Sequence, residues 1–243
     1  MPGKSKRISL WRKIVIDFMH ASVPLVVLKR NMQLSSLVSA RATCQSRPSW
    51  AAIFAKGFSL VAREEPVLRC FYLKWPFPHF YEAPHSIATI AIARPDLGDG
   101  LIAAKIDGPD KLLIRHVDTF VQQAKTAPLS KLPSVGRMLL IARLPLPLRR
   151  FAWALALNVG RLRCNNFGTF MITSVGSLGA EQIVLRSPGP TLLSYGQLRD
   201  DHTIDVSMHW DHRIYDGVQG ARVLHELENV LNTLIAEELR SAI

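Results

Sequence analysis

Three apolar, strand-like runs follow one another near the C-terminus: GTFMITSVG, IVLRSPGPTLLSYGQL and TIDVSMHWDH. They are broken by Gly and Pro rather than by helical segments. A doubly wound parallel sheet needs a helical crossover between successive strands, so a strict βαβ rhythm is excluded. Upstream, helical and strand patterns alternate irregularly. WRKIVIDFMHAS has helical period, with Ile14, Phe18 and Met19 near one face, and VPLVVLKRNMQL is a β-branched strand opened by Pro24. RPSWAAIFAKGFSLVAREEP predicts an amphipathic helix capped by Ser49, striped by Trp50, Ile53, Phe54, Phe58 and Val61, and stopped by Pro66. VLRCFYLKW reads as a short strand. HSIATIAIARP and GLIAAKI read as a hairpin around DLGDG, and DKLLIRHVDTFVQQAKT returns to helical period. GVQGARVLHELENVLNTLIAEEL closes the chain as a helix that buries Val223, Leu227, Val230 or Leu231, and Leu234. One α+β domain over residues 1–243 is the simplest reading.

Charge limits the partners. Lys and Arg exceed Asp and Glu by 30 to 19, a net of +11, and Thr119 to Ala180 holds eight basic residues and no acidic one. Nucleic acid, acidic lipid, a phosphate-bearing cofactor and an acidic carrier protein would all suit this. A nucleic-acid partner is set aside, because no recognised motif is present and the basic stretch is too apolar for a phosphate-tracking arm. Cys44, Cys70 and Cys164 form no CxxC pair, which implies a reducing cytosol and no zinc knuckle. The basic opening MPGKSKR precedes an apolar stretch, but Asp17 and His20 interrupt it and no small-x-small cleavage site follows, so export is rejected. No stretch reaches the roughly 20 apolar residues of a membrane span. GxxxxGK[ST], GxGxxG and HExxH are absent, and GSLG fails the GxSxG spacing. His209 and His212 lack an obvious third ligand, so no metal is expected.

The informative segment is MHWDHRIYDGVQGARVL, in which His212 and Asp216-Gly217 form HxxxDG at the mouth of the last helix. An imidazole there suits proton abstraction from a thiol, hydroxyl or amine, given a fixed ring and donors facing an oxyanion. The alternative is a loop in which Asp216 caps the helix and His212 makes a structural hydrogen bond. His209 and Trp210 face opposite sides of a strand and read as packing; Gly168 and Gly176 read as turn positions.

VSMHWDHRIYDGVQGARVLHELENVL resembles the C-terminal signature of the catalytic domain of 2-oxo acid dehydrogenase dihydrolipoamide acyltransferases, within the chloramphenicol acetyltransferase-like superfamily. GTFMITSVGSLG, SIATIAIARPDLGDGLIAAKI, SWAAIFAKGFSLVAREEPVL and WRKIVIDFMHAS resemble further segments of that domain, in the family's order. The resemblance implies an α+β fold with a mixed sheet flanked by helices. It implies an acyltransferase in which His212 is the general base. Asp216 would orient the loop and pair with an arginine near the N-terminus, for which Arg12 is the matching position; the other reading of Arg12 is a solvated residue beside Lys13. The family's oxyanion-stabilising serine corresponds to Thr173, with Ser174 next in line, and only one of the two can face the site. The family's lipoyl domain has no counterpart, so a free-standing enzyme without a cis lipoyl group is expected, taking acyl-CoA or an acyl carrier protein as donor. A homotrimer follows by resemblance, with sites between subunits and a small-molecule or lipid acceptor. A second reading keeps the fold as a catalytically inactive binding or scaffold module.

Residues 133–163 match nothing in the family. Pro145 and Pro147 forbid one continuous helix there. Either two short amphipathic helices lie on the surface with arginine stems packed along it, or the segment contacts an anionic membrane at its inner, cytoplasmic face.

Overall fold

The computed structural model describes residues 3–7, 25–94, 96, 101–128, 136, 140–141, 143–174, 176 and 187–241. In chain order these form β1 (Lys4–Lys6), β2 (Leu25–Gln33), α1 (Ser35–Thr43), α2 (Trp50–Glu64), β3 (Cys70–Leu73), β4 (His79–Glu82), β5 (Ile87–Ala93) and β6 (Leu101–Asp107). There follow α3 (Ile114–Thr126), α4 (Leu146–Asn158), α5 (Gly160–Phe167), β7 (Phe170–Thr173), β8 (Thr191–Tyr195), β9 (Thr203–Asp211) and α6 (Gly217–Val230). A π turn (Leu231–Ile235) and α7 (Ala236–Ser241) end the series. The helix expected over WRKIVIDFMHAS lies outside the described residues.

Six strands form one mixed sheet in the order β2-β9-β8-β7-β5-β6. β7 runs parallel to both β5 and β8, and the other neighbours are antiparallel. A smaller sheet, β1-β4-β3, stands apart from it. Alternation along the strands divides the large sheet into two faces. Ile90, Phe170, Ile172, Leu193, Val206, Met208 and Trp210 face one way and join the helices in the main core. Thr89, Met171, Thr173, Leu192 and His209 occupy the intervening positions and face the other way.

The helix of the second apolar run is the centre of that core. Ser49 caps α2, its hydroxyl accepting from the Ala52 N–H at 3.4 Å, and Pro66 follows two residues beyond its last turn. The whole run from Ala52 to Ala62 is buried, which a helix wedged between a sheet and other helices requires. Its one buried cation, Lys56, pairs with Glu238, whose other oxygen accepts from the Ile114 N–H at 2.7 Å. One carboxylate therefore ties α2, α3 and α7 together.

One expectation is corrected. The terminal helix buries Val223, Leu227, Val230 and Leu231 as predicted, but Leu234 is 50% exposed and Ile235 is buried instead. The π turn inserts an extra residue per turn and rotates the following face by one position. In the 133–163 segment, α4 begins at Leu146 with Pro147 in its first turn, where a missing N–H costs nothing. It and α5 are separate helices, and residues 133–135, 137–139 and 142 of the segment lie outside the described residues. None of α4's thirteen residues is buried.

Candidate active site

β9 ends at Asp211 and the chain turns at once. The Asp211 carboxylate accepts from the Arg213 N–H at 3.0 Å and from its guanidinium at 2.8 and 2.5 Å, a bidentate pair. The same guanidinium lies 4.4 Å over the Tyr72 ring. Asp211 and Arg213 are thus spent on building the turn. Trp210 and Tyr215 clasp it from inside: their rings stack 5.1 Å apart, and the indole N–H donates to the Tyr215 carbonyl at 2.9 Å. The Tyr215 hydroxyl meets Thr191 Oγ1 at 3.2 Å, and burial pushes its pKa well up.

The Tyr215 carbonyl also lies 3.2 Å from His212 Nδ1. A carbonyl can only accept, so in this bond Nδ1 carries the proton and Nε2 keeps its lone pair. The Asp216 carboxylate stands 3.6 Å from the same Nδ1, beyond hydrogen-bond length. Asp216 also occupies the N-cap position of α6. Its carbonyl accepts from the Gly220 N–H at 3.0 Å, while its side chain caps nothing. The His212 side chain is 24% exposed.

Gly220 faces the indole. A Cβ there would lie 2.7 Å from Trp210 Cη2, part of a ring fixed by its own stacking and hydrogen bond. Alanine ordinarily favours a helix over glycine by about 1 kcal/mol. Here Gly220→Ala is expected to destabilise the fold by about 1–3 kcal/mol, because the added methyl must push α6 off the ring. A lower urea midpoint at unchanged m-value would confirm it; a higher midpoint would refute the contact.

Thr173 and Ser174 lie elsewhere. Thr173 pairs with Ser194 and Ser194 with Ser207, so Thr173 is level with a residue four before Asp211. At ~3.3 Å per residue along the strand, and with two strand spacings across, Thr173 is well over 10 Å from the His212 turn within one chain. The Ser174 hydroxyl donates to the Tyr195 carbonyl at 2.8 Å and accepts from the Gly176 N–H at 3.2 Å. Thr173 lines a cleft of about 830 Å³ that also takes in Arg41, Trp50 and Lys125. One chain therefore brings His212 and Asp216 together and leaves Thr173 and Ser174 apart from them. Arg12 lies outside the described residues.

Solved structures share this architecture along nearly the whole chain. The probable dihydrolipoamide acetyltransferase of Listeria monocytogenes 4b F2365 matches at a TM-score of 0.61 with 20% identity, over 95% of each chain. A dihydrolipoamide acetyltransferase of Azotobacter vinelandii, in which a serine, a histidine and an asparagine have been studied for their role in the catalytic mechanism, matches at 0.61 with 15% identity, over 96% of this chain and 93% of its own. A chloramphenicol acetyltransferase matches at 0.60 with 14% identity, over 94% of this chain and all of its own. The fold is that of chloramphenicol acetyltransferase. No family model and no curated protein matches the sequence.

Within this acetyltransferase fold, two features escaped the sequence. The Tyr215 carbonyl is a backbone atom with no signature of its own. His209, read as packing, is fully buried, and neither ring nitrogen has a hydrogen-bond partner among the described residues. It borders a cavity of about 210 Å³ that also reaches Arg163, Asp211 and Arg213. Burial lowers the His209 pKa. Between this depressed value and the unfolded ~6.5, the unfolded chain binds more protons than the folded one. His209 therefore favours folding above about pH 6.5, and that advantage is lost as pH falls through the folded value. Urea midpoints from pH 5 to 8 should show this acid-side loss, and His209→Leu should reduce it; an unchanged slope would exclude the assignment. Among the described residues no cluster of His, Cys, Asp and Glu could hold a metal ion, and no helix is long and apolar enough to cross a membrane.

Proposed function

We infer that the chain is an acyltransferase that moves an acyl group from a thioester to a hydroxyl, amine or thiol acceptor. The observation that carries this reading is the hydrogen bond at His212 Nδ1, which leaves Nε2 as a base in a ring held from behind. Nε2 takes the acceptor's proton as the acceptor attacks the thioester carbonyl. The Thr173 hydroxyl, in the place of the family's serine, donates to the oxyanion of the tetrahedral intermediate. Collapse breaks the carbon–sulfur bond, and the departing thiolate takes the proton back from His212. Asp216, at the N-cap position of α6, orients the loop that carries His212.

The separation of Thr173 from His212 within one chain supports a site shared between two copies, with His212 from one and Thr173 from its neighbour, and a homotrimer is the assembly we assign. Arg41 and Lys125 in the Thr173 cleft suit the phosphates of an acyl-CoA, or the acidic surface of an acyl carrier protein. The histidine, the hydroxyl residue and the polar residue four beyond the histidine agree in kind with the residues studied in the Azotobacter protein.

The experiment is thiol release from acetyl-CoA to tetradecanoyl-CoA with pooled small-molecule and lipid acceptors, repeated with acyl carrier protein thioesters. Release dependent on protein and acceptor establishes transfer. Silence from both donor classes would leave the fold as a binding module.

A further inference from the structure

The sheet face turned away from the main core is roofed by α4. Its Trp153 stacks on Phe167 with ring centroids 5.7 Å apart. Beneath the helix is a cavity of about 240 Å³. Ala103 and Met171 line it from the sheet, and Ala152, Trp153 and Ala156 from α4, with Phe167 beside them.

The cavity's polar neighbours are already engaged. Thr89 Oγ1 donates to the Phe167 carbonyl at 2.9 Å, and Asn166 Nδ2 to the Leu162 carbonyl at 2.8 Å. Lys105 Nζ bonds the Asn165 carbonyl, and Ser187 Oγ accepts from the Gly189 N–H at 3.0 Å. Each of these groups has a partner within the protein, and a mainly apolar cavity of this kind favours an apolar guest. Its position matters equally. Met171 and Thr173 are two apart on β7 and share a sheet face, so Thr173 stands roughly 7 Å beyond the cavity's Met171 wall.

We propose that this cavity holds the acyl chain of the donor thioester, which enters from the Thr173 end and lies along β7 beneath α4. The proposal rests on the acyl-transfer reading of His212 and Thr173, and it adds the class of acyl group. A methylene fills about the ~30 Å³ that a water molecule takes in the liquid, so the space accepts about eight of them. The substrate is then a medium-chain acyl group. Two alanines in the roof, Ala152 and Ala156, leave this room.

The test is binding by calorimetry of N-acetylcysteamine thioesters from acetyl to tetradecanoyl, with the full chain in its native assembly. Affinity should rise about fourfold for each methylene, up to roughly eight, and then level off. Ala156→Phe fills the cavity from the helix and Ala103→Leu from the sheet; each should remove most of the gain with chain length. Both are checked for native circular dichroism, and either one folding suffices. A flat series in the wild type would overturn the proposal, as would a gain that survives the filling variants. Failure of the acyl-transfer reading has a different signature: binding that depends on chain length with no thiol release from any thioester. That result would overturn the placement of a thioester carbonyl at Thr173.

Discussion

Thiol release by His212→Gln is expected at about a thousandth of the wild-type rate, within the range that a positioned general base contributes. Glutamine is uncharged and polar and can still accept or donate a hydrogen bond, so the turn built by Asp211, Arg213 and Tyr215 has little reason to move. It cannot take a proton at neutral pH. The loss should therefore fall on kcat, with donor affinity unchanged in a direct binding measurement. A loss confined to affinity would make His212 a contact rather than a base. A variant within a few fold of wild type would remove the acyl-transfer mechanism altogether.

Mixing supplies the second large effect. Thr173→Ala should lower kcat by about a hundredfold or more, the usual cost of one oxyanion donor. If each site takes His212 from one copy and Thr173 from the next, the two crippled variants complement each other. Unfolded together in equal amounts and refolded, they should regain roughly a quarter of wild-type activity, because that fraction of sites pairs an intact His212 with an intact Thr173. Refolded separately, each should stay inactive. Separate inactivity without recovery on mixing, once exchange of copies is shown by a mass tag, would exclude a site shared between copies.

The fold was legible where local chemistry and tertiary packing agree. Ser49 and Pro66 bound α2 because capping and proline sterics act within a turn, whatever lies around them. The β5–β6 hairpin and the strand ending in Asp211 followed from alternation. The terminal helix was misread at Leu234 because a π turn leaves no mark in a 3.6-residue pattern until its phase is compared on both sides. The site was legible at its side chains and illegible at its backbone: His212 and Asp216 stand out in HRIYDG, whereas the carbonyl that orients the ring belongs to Tyr215, whose side chain is engaged with Trp210 and Thr191. Period two placed His209 opposite Trp210 correctly. That its nitrogens would be stranded depends on what packs above the strand, which no local pattern encodes. The distance between Thr173 and His212 likewise needed the β7–β8–β9 register.

The π turn also changes what a single helix can join. Before it, Val223 and Leu227 press into the core beneath the sheet; after it, the buried face is shifted by one position, and Glu238 arrives beside Lys56 while also receiving the first N–H of α3. A regular helix of the same length would carry that carboxylate about a quarter-turn away, roughly 100°. The extra residue works as a vernier between two layers, fitting one rigid rod to partners whose spacings do not share a common period. Removing a single residue from 231–235 would then not shorten the helix so much as rotate everything beyond it, uncoupling the sheet-bound half from the clasp that gathers α2 and α3.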